Sequence, residues 1–156
     1  GRYVKLAIFI DSGKMDEVVN DIYNKCLLEM QCYTMFDYIR LLDTRIQRMQ
    51  GSDGAKVRKM NFGMAIMALK AGYPIRRSGW NGKGLMVFKQ VPAHIDSDII
   101  PKMQSLPQSA KDLILKGKGF IDYTSQCLIY NENTGRADSW VPSISDVFAD
   151  DWEIVQ

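Results

Sequence analysis

Residues 76–84 read RRSGWNGKG, placing two arginines, a tryptophan, an Asn-Gly pair and a lysine on one short stretch. An Asn-Gly pair is enough to reverse the chain. The groups beside it can do more. A guanidinium grips phosphate through two parallel hydrogen bonds, and an indole face stacks on a base with about 1–3 kcal/mol. Together they suit a flat, anionic ligand. Lys83, Lys89 and Lys102 add positive charge, and Phe88, Tyr123 and Trp140 add ring faces. Core packing is the competing use for Trp80 and Trp140, and the sequence leaves both uses open. Arg76 and Arg77 are neighbours on an expected strand, so they point to opposite faces. One of them enters a given pocket easily, not both.

Catalytic chemistry has little to stand on. The single histidine, His94, follows VPA with no motif partner, and no serine lies in a nucleophile elbow. GWNGKG has glycines but lacks P-loop spacing and its Lys-Ser/Thr ending. Asp146, Asp150, Asp151 and Glu153 form an acidic cluster that could hold a metal, but it reads rather as a solvated face near the end of the chain. The residues therefore describe a binder, not an enzyme, with no metal and no cofactor.

The formal charge is +2, too small for a general binder of DNA or RNA. Its distribution is uneven. Residues 70–118 hold nine Lys or Arg against three acids, and residues 119–156 hold one Arg against seven. A basic middle and an acidic tail are expected to neutralise each other within a domain or across a subunit contact. The basic middle could equally draw in a phosphate. Cys26, Cys32 and Cys127 form neither a disulfide framework nor a zinc motif. The apolar run from Leu6 to Ile10 is too short for a signal-peptide core or a membrane span, so a cytoplasmic protein without a membrane partner is expected.

The elements that must hold these groups follow from periodicity. YVKLAIFID reads as a strand or as the start of a helix, and Ser12 offers an N-cap before Asp16 and Glu17. Apolar residues then recur in steps of three and four from Met15 to Met49. As one helix this stretch of about 35 residues would span roughly 50 Å. Either it breaks near QCYT into a helical hairpin, or its stripe packs on another subunit. QGSDGAKVRK, residues 50–59, is the clearest linker. Asn61 caps a second helix that ends at Gly72. YPIRR and LMVFKQV are strands flanking the opening motif. Residues 94–106 look irregular or loosely helical, and Pro107 opens a helix to about Leu115. FIDYTSQCLIYN is a single strand, NENTG a turn, and the remainder a short strand, a helical piece and a closing strand. The expected class is α+β: a small antiparallel sheet with short helices, preceded by a long helical N-terminal extension. The division is a helical extension over residues 1–58, suited to oligomerisation, and a ligand-binding domain over 59–156.

MNFGMAIMALKAG, RRSGWNGKG, PKMQSLPQSAKDLI, YTSQCLI and SWVPSISDVFADDWEIV closely resemble the phage family of Thoeris anti-defence proteins of the first type, over about residues 60–155. The resemblance implies a sponge: such proteins bind cyclic ADP-ribose-type signals without degrading them, at contacts between protomers, so that the Thoeris effector is not activated. Some members form hexamers and also take up cyclic trinucleotides of CBASS defence at separate sites. It implies a homo-oligomer, a dimer at least, in the cytoplasm of the infected bacterial host. Arg77, Trp80, Asn81 and Lys83 match the RxGWNGKG core, and Trp140, Ser143 and Asp146 match SWxPSxxD. With Phe88, Lys102 and Tyr123 they make up the expected ligand-binding set. Ser125 stands where the family is associated with Asn, which puts the ligand preference in doubt. The first 58 residues have no counterpart in the shorter members. An oligomeric adaptor without nucleotide binding and a hydrolase of the signal are the alternative functions.

Overall fold

A computed structural model describes residues 1–57 and 59–155. The N-terminal stretch consists of three helices joined by short turns: α1 (Arg2–Asp11), α2 (Lys14–Val18) and α3 (Ile22–Met49). YVKLAIFID is thus a helix. Ser12 closes α1 rather than opening a new helix, donating its hydroxyl to the Phe9 carbonyl at 3.1 Å. Gly13 then turns the chain at φ 76°. The long helix expected from Met15 does not run continuously. It breaks at Val19–Asp21, where Val19 is extended and the Asp21 carboxylate caps the Tyr23 N–H at 2.9 Å. QCYT, the expected breaking point, lies uninterrupted within α3. A helical hairpin does form, with α1 as its second arm. Tyr3 stacks on Phe36 with ring centroids 5.9 Å apart, and Lys25 pairs with Asp16 at 2.7 Å.

After the linker comes α4 (Phe62–Lys70), capped by the Asn61 carboxamide, which accepts from the Met64 N–H at 2.9 Å. The same carboxamide donates to Asp37 at 2.7 Å and so ties α4 to α3. The main sheet has five antiparallel strands in the order β6–β5–β2–β1–β7: β1 is Ile75–Arg77, β2 Leu85–Lys89, β5 Cys127–Asn131, β6 Arg136–Ser139 and β7 Trp152–Ile154. A second, two-stranded sheet pairs β3 (Ala93–Ile95) with β4 (Ile121–Tyr123). Between β3 and β4 lie a 3₁₀ turn at Ile100–Lys102 and α5 (Gln108–Lys116). The class is α+β.

Two local expectations are corrected. FIDYTSQCLIYN is two strands in two sheets, with residues 124–126 as the crossing point. Residues 93–95, within or beside the supposedly irregular stretch, pair with β4. Both errors have one origin: strand partners in the small sheet lie 26 to 30 residues apart, and no local period reports such a pairing.

The core sits between α4 and the sheet. Met60, Met64, Ala65, Leu69, Ile75, Val87 and Trp152 are all buried. Ile75 faces Val87 on one side and Ile154 on the other, so β1 is an interior strand, with β7 beside it at the edge of the sheet. Leu41 of α3 packs against this cluster.

Candidate functional site

Arg76 and Arg77 leave β1 on opposite sides, as adjacent strand residues must. Arg76 pairs with Glu153, its register partner on β7. Arg77 enters the larger network. Its Nε donates to Asp151 at 2.7 Å, and its Nη1 donates to Asp146 at 3.0 Å and to the Ser145 carbonyl at 3.3 Å. The second Asp151 oxygen accepts from the Gly79 N–H at 2.8 Å. Asp151 therefore fixes both the strand end and the turn after it.

Asp146 is the hub. It lies on α6 (Ile144–Val147), whose first turn is a capping box with Ser143. One carboxylate oxygen accepts from the Ser143 N–H at 2.9 Å and the Ser143 hydroxyl at 2.7 Å. The other accepts from Arg77 and from the Trp80 indole N–H at 3.1 Å. Its backbone carbonyl accepts from the Trp152 indole N–H at 3.0 Å. Burial alone would raise the Asp146 pKa. Hydrogen bonds from Ser143, Arg77 and Trp80 outweigh burial and bring it to about 2. At Asp151 burial again opposes, and Arg77 and the Gly79 N–H hold the carboxyl below its ordinary range. The hydrogen bond to Asp151 raises the Arg77 pKa further, against its own burial.

Around Trp152 the rings interlock. Trp80 and Trp140 each meet it edge-on, with centroids 5.5 and 6.1 Å away, and Phe62 lies tilted at 5.7 Å. Trp80 and Trp140 thus have packing roles, and both remain half-buried. Asn81 and Lys83 are exposed on the turn, where the Lys83 carbonyl accepts from Asn133 at 2.7 Å.

Of the expected ligand set, Arg77, Trp80, Trp140, Ser143 and Asp146 come together, with Asn81 and Lys83 on the adjoining turn. Phe88 is on β2, Tyr123 on β4 and Lys102 in the 3₁₀ turn. Among the described residues no hydrogen bond, ion pair or ring contact links those three to the Asp146 network. The acidic cluster is not the solvated face expected. Asp146 and Asp151 hold Arg77, Glu153 holds Arg76, and only Asp150 of the four stands apart. The basic middle and acidic tail meet within one chain. Sequence reading did not assign Gly79, Asp151 or Trp152 to the site, and it took Asp151 for part of a solvated acidic face. The run of acids in the closing segment, set against the adjacent arginines of β1, was the available signal. No group of three or more His, Cys, Asp or Glu side chains suited to a metal occurs among the described residues. His94 sits in the small sheet, exposed, between Asp122 at 2.6 Å and Asp96 at 3.2 Å, and its pKa is raised chiefly by Asp122.

A sheet with one covering helix, closed by an arginine–aspartate–indole hub, is the frame on which the comparisons with known proteins fall. The family described as Thoeris anti-defense 2-like domain matches residues 60–155, and the chain belongs to that family. Thoeris anti-defense 2 of Bacillus phage SP01 is 33% identical over 102 residues, covering 62% of this chain and 96% of that protein. The α1–α3 segment matches a different family, described as Sequestin, over residues 1–48. No described helix is long and apolar enough to cross a membrane.

Proposed function

We propose that this protein is an anti-defence sponge. It binds a cyclic ADP-ribose-type immune signal, holds it intact, and so prevents activation of the Thoeris effector in the cytoplasm of the infected host. The supporting observation is family membership across residues 60–155, coupled to a hub built from the motif residues Arg77, Trp80, Ser143 and Asp146.

In this reading Ser143 and Asp146 fix the site rather than grip the ligand. Arg77 offers phosphate the guanidinium edge not committed to its two aspartates. Trp80 and Trp140 supply ring walls, and Asn81 and Lys83 supply a donor and a charge on the exposed turn. Phe88, Lys102 and Tyr123 join from the same protomer or its partner where two protomers meet. Residues 59–156 act as the ligand-binding domain, and residues 1–58 as a helical extension that drives assembly. Capture without turnover needs no base, nucleophile, metal or cofactor.

The test is mass spectrometry of ligand released by heat after incubation with a cyclic ADP-ribose isomer, repeated with a cyclic trinucleotide. Intact cyclic ligand is expected. Linear ADP-ribose as the main species would make the protein a hydrolase, and no recovered ligand of either class would leave it an adaptor.

A further inference from the structure

The helical hairpin holds a groove of its own, about 390 Å³ between α1 and α3, which shares no residue with the Arg77–Asp146 hub. Its lining recurs at helical spacing on both arms, so one face of each helix makes a wall. Ala7, Ile10 and Cys32 are half-buried and give the groove an apolar floor. The arms run antiparallel, and the two ends differ. At one end Tyr3 stacks on Phe36, and Tyr33 stands beside them with 73% of its surface exposed. At the other end are Asp11 and Glu29.

Those two carboxylates are the charged groups of the lining, and no lysine, arginine or histidine joins them. Among the described residues neither has an ion-pair partner. Asp11 is also poorly placed for its own helix. It is the last residue of α1, at the negative end of the helix dipole, and the last turn carries no basic residue. A cation here would be attracted by both acids and by the helix end. The rings extend the same preference, because an aromatic face draws an ammonium group. A purely apolar ligand would leave the acids uncompensated. A metal ion would leave the rings and the apolar floor unused, and no group of three metal-ligating side chains occurs among the described residues.

We infer that this groove is a second small-molecule site, separate from the sponge site, which takes a linear aliphatic polyamine. From Asp11 to Tyr3 the groove follows about 12 Å of α1, the reach of a chain with ammonium groups on short methylene spacers. One ammonium pairs with Asp11 and Glu29, the methylenes lie along Ala7, Ile10 and Cys32, and a second ammonium meets the Tyr33 ring. The inference does not depend on capture of a cyclic signal.

The experiment is calorimetric titration of the full chain with spermidine, with butane-1,4-diamine and magnesium chloride as comparators. One spermidine per chain is expected, with weaker binding of the shorter diamine and no saturable binding of magnesium. Asp11→Asn with Glu29→Gln keeps the side-chain shapes and should weaken spermidine about tenfold or more. Tyr33→Ala should weaken it about threefold. Asp53→Asn, on the exposed linker, should leave it unchanged. Light scattering should give the same mass with and without spermidine. Absence of saturable spermidine binding, equal binding of magnesium, or binding indifferent to the acid variant would each overturn the inference. So would a fall in mass on adding spermidine, which would make the groove a contact filled by a second copy. Cyclic ADP-ribose should not displace spermidine, and if it fails to bind at all, the spermidine titrations still decide the matter alone.

Discussion

Asp146 concentrates more of this protein's organisation than any other side chain. Its carboxylate joins a helix cap, a strand arginine and an indole, so its ionised form is worth more to the folded state than to the unfolded one. A carboxyl depressed from 3.8 to about 2 contributes stability that is complete above its unfolded pKa and lost as pH falls toward the folded value. The window is therefore about pH 4 to pH 2. The loss across it is at most about 2 kcal/mol, and less where water reaches the cluster. Asp146→Asn keeps the shape but turns an amide toward the Ser143 N–H and leaves Arg77 short of a charge. It should cost about 2–3 kcal/mol at neutral pH, in line with removal of one member of a largely buried pair. Urea denaturation of both proteins from pH 7 to pH 2 checks this. The gap between them should narrow only below about pH 4, and a gap constant across the range would remove Asp146 as the titrating group.

The turn between β1 and β2 is the element on which the candidate site depends. Its shape is set from outside, by Asp151 holding both Arg77 and the Gly79 N–H. A Cβ added at Gly79 would lie 2.5 Å from the Asp151 carboxylate oxygen. That oxygen cannot swing aside freely, because its carboxyl is also bonded to Arg77. Gly79→Ala should therefore loosen the Arg77 clamp and destabilise the domain by about 1–3 kcal/mol, the usual range for overpacking. Thermal unfolding measures the cost, and the paired variant Asp151→Ala shows its origin. If Gly79→Ala costs as much without the Asp151 carboxylate as with it, the clash is not the cause.

Over the whole molecule, the helical hairpin presents more apolar surface than its own fold covers. Ile22, Tyr23, Met30 and Tyr33 on the N-terminal half of α3 are all well exposed, as are Val4 and Ile8 on α1. Contiguous apolar surface of this kind marks an association face. The C-terminal half of α3 is different: Leu41 is covered by the sheet domain and Asp37 is bonded to Asn61. The full chain should therefore be a homo-oligomer by light scattering, at least a dimer, with hexamer as the upper expectation. Tyr23→Glu with Met30→Glu should lower the mass while leaving the circular dichroism of the monomer intact. A monomeric parent protein would remove the assembly from the proposed function, and an unchanged mass in the variant would move the contact elsewhere.

Much of this was legible in the residues themselves, because it is local. Asn61 as a cap, Gly72 as a stop, the strands around RRSGWNGKG and the turn at NENTG follow from propensity and from periods of 3.6 and 2, which short-range sterics enforce. Membership among the Thoeris anti-defence proteins, too, was readable from the long motifs, although the first type was expected and the match is to Thoeris anti-defense 2, and so was the opposed direction of Arg76 and Arg77. What the sequence could not decide was partnership. The acids of the last dozen residues read as solvent-facing, yet three of them are the counter-charges of two arginines some 70 residues away. FIDYTSQCLIYN has one continuous strand pattern but belongs to two sheets, and the helical period continues through the place where Asp21 starts α3 afresh. Asp11 and Glu29 offered no signal at all, since they line one groove only because α1 is folded back against α3. Propensity acts over a few residues, whereas a salt bridge, a sheet edge and a cleft are made by whichever chain segments tertiary packing brings to the same point.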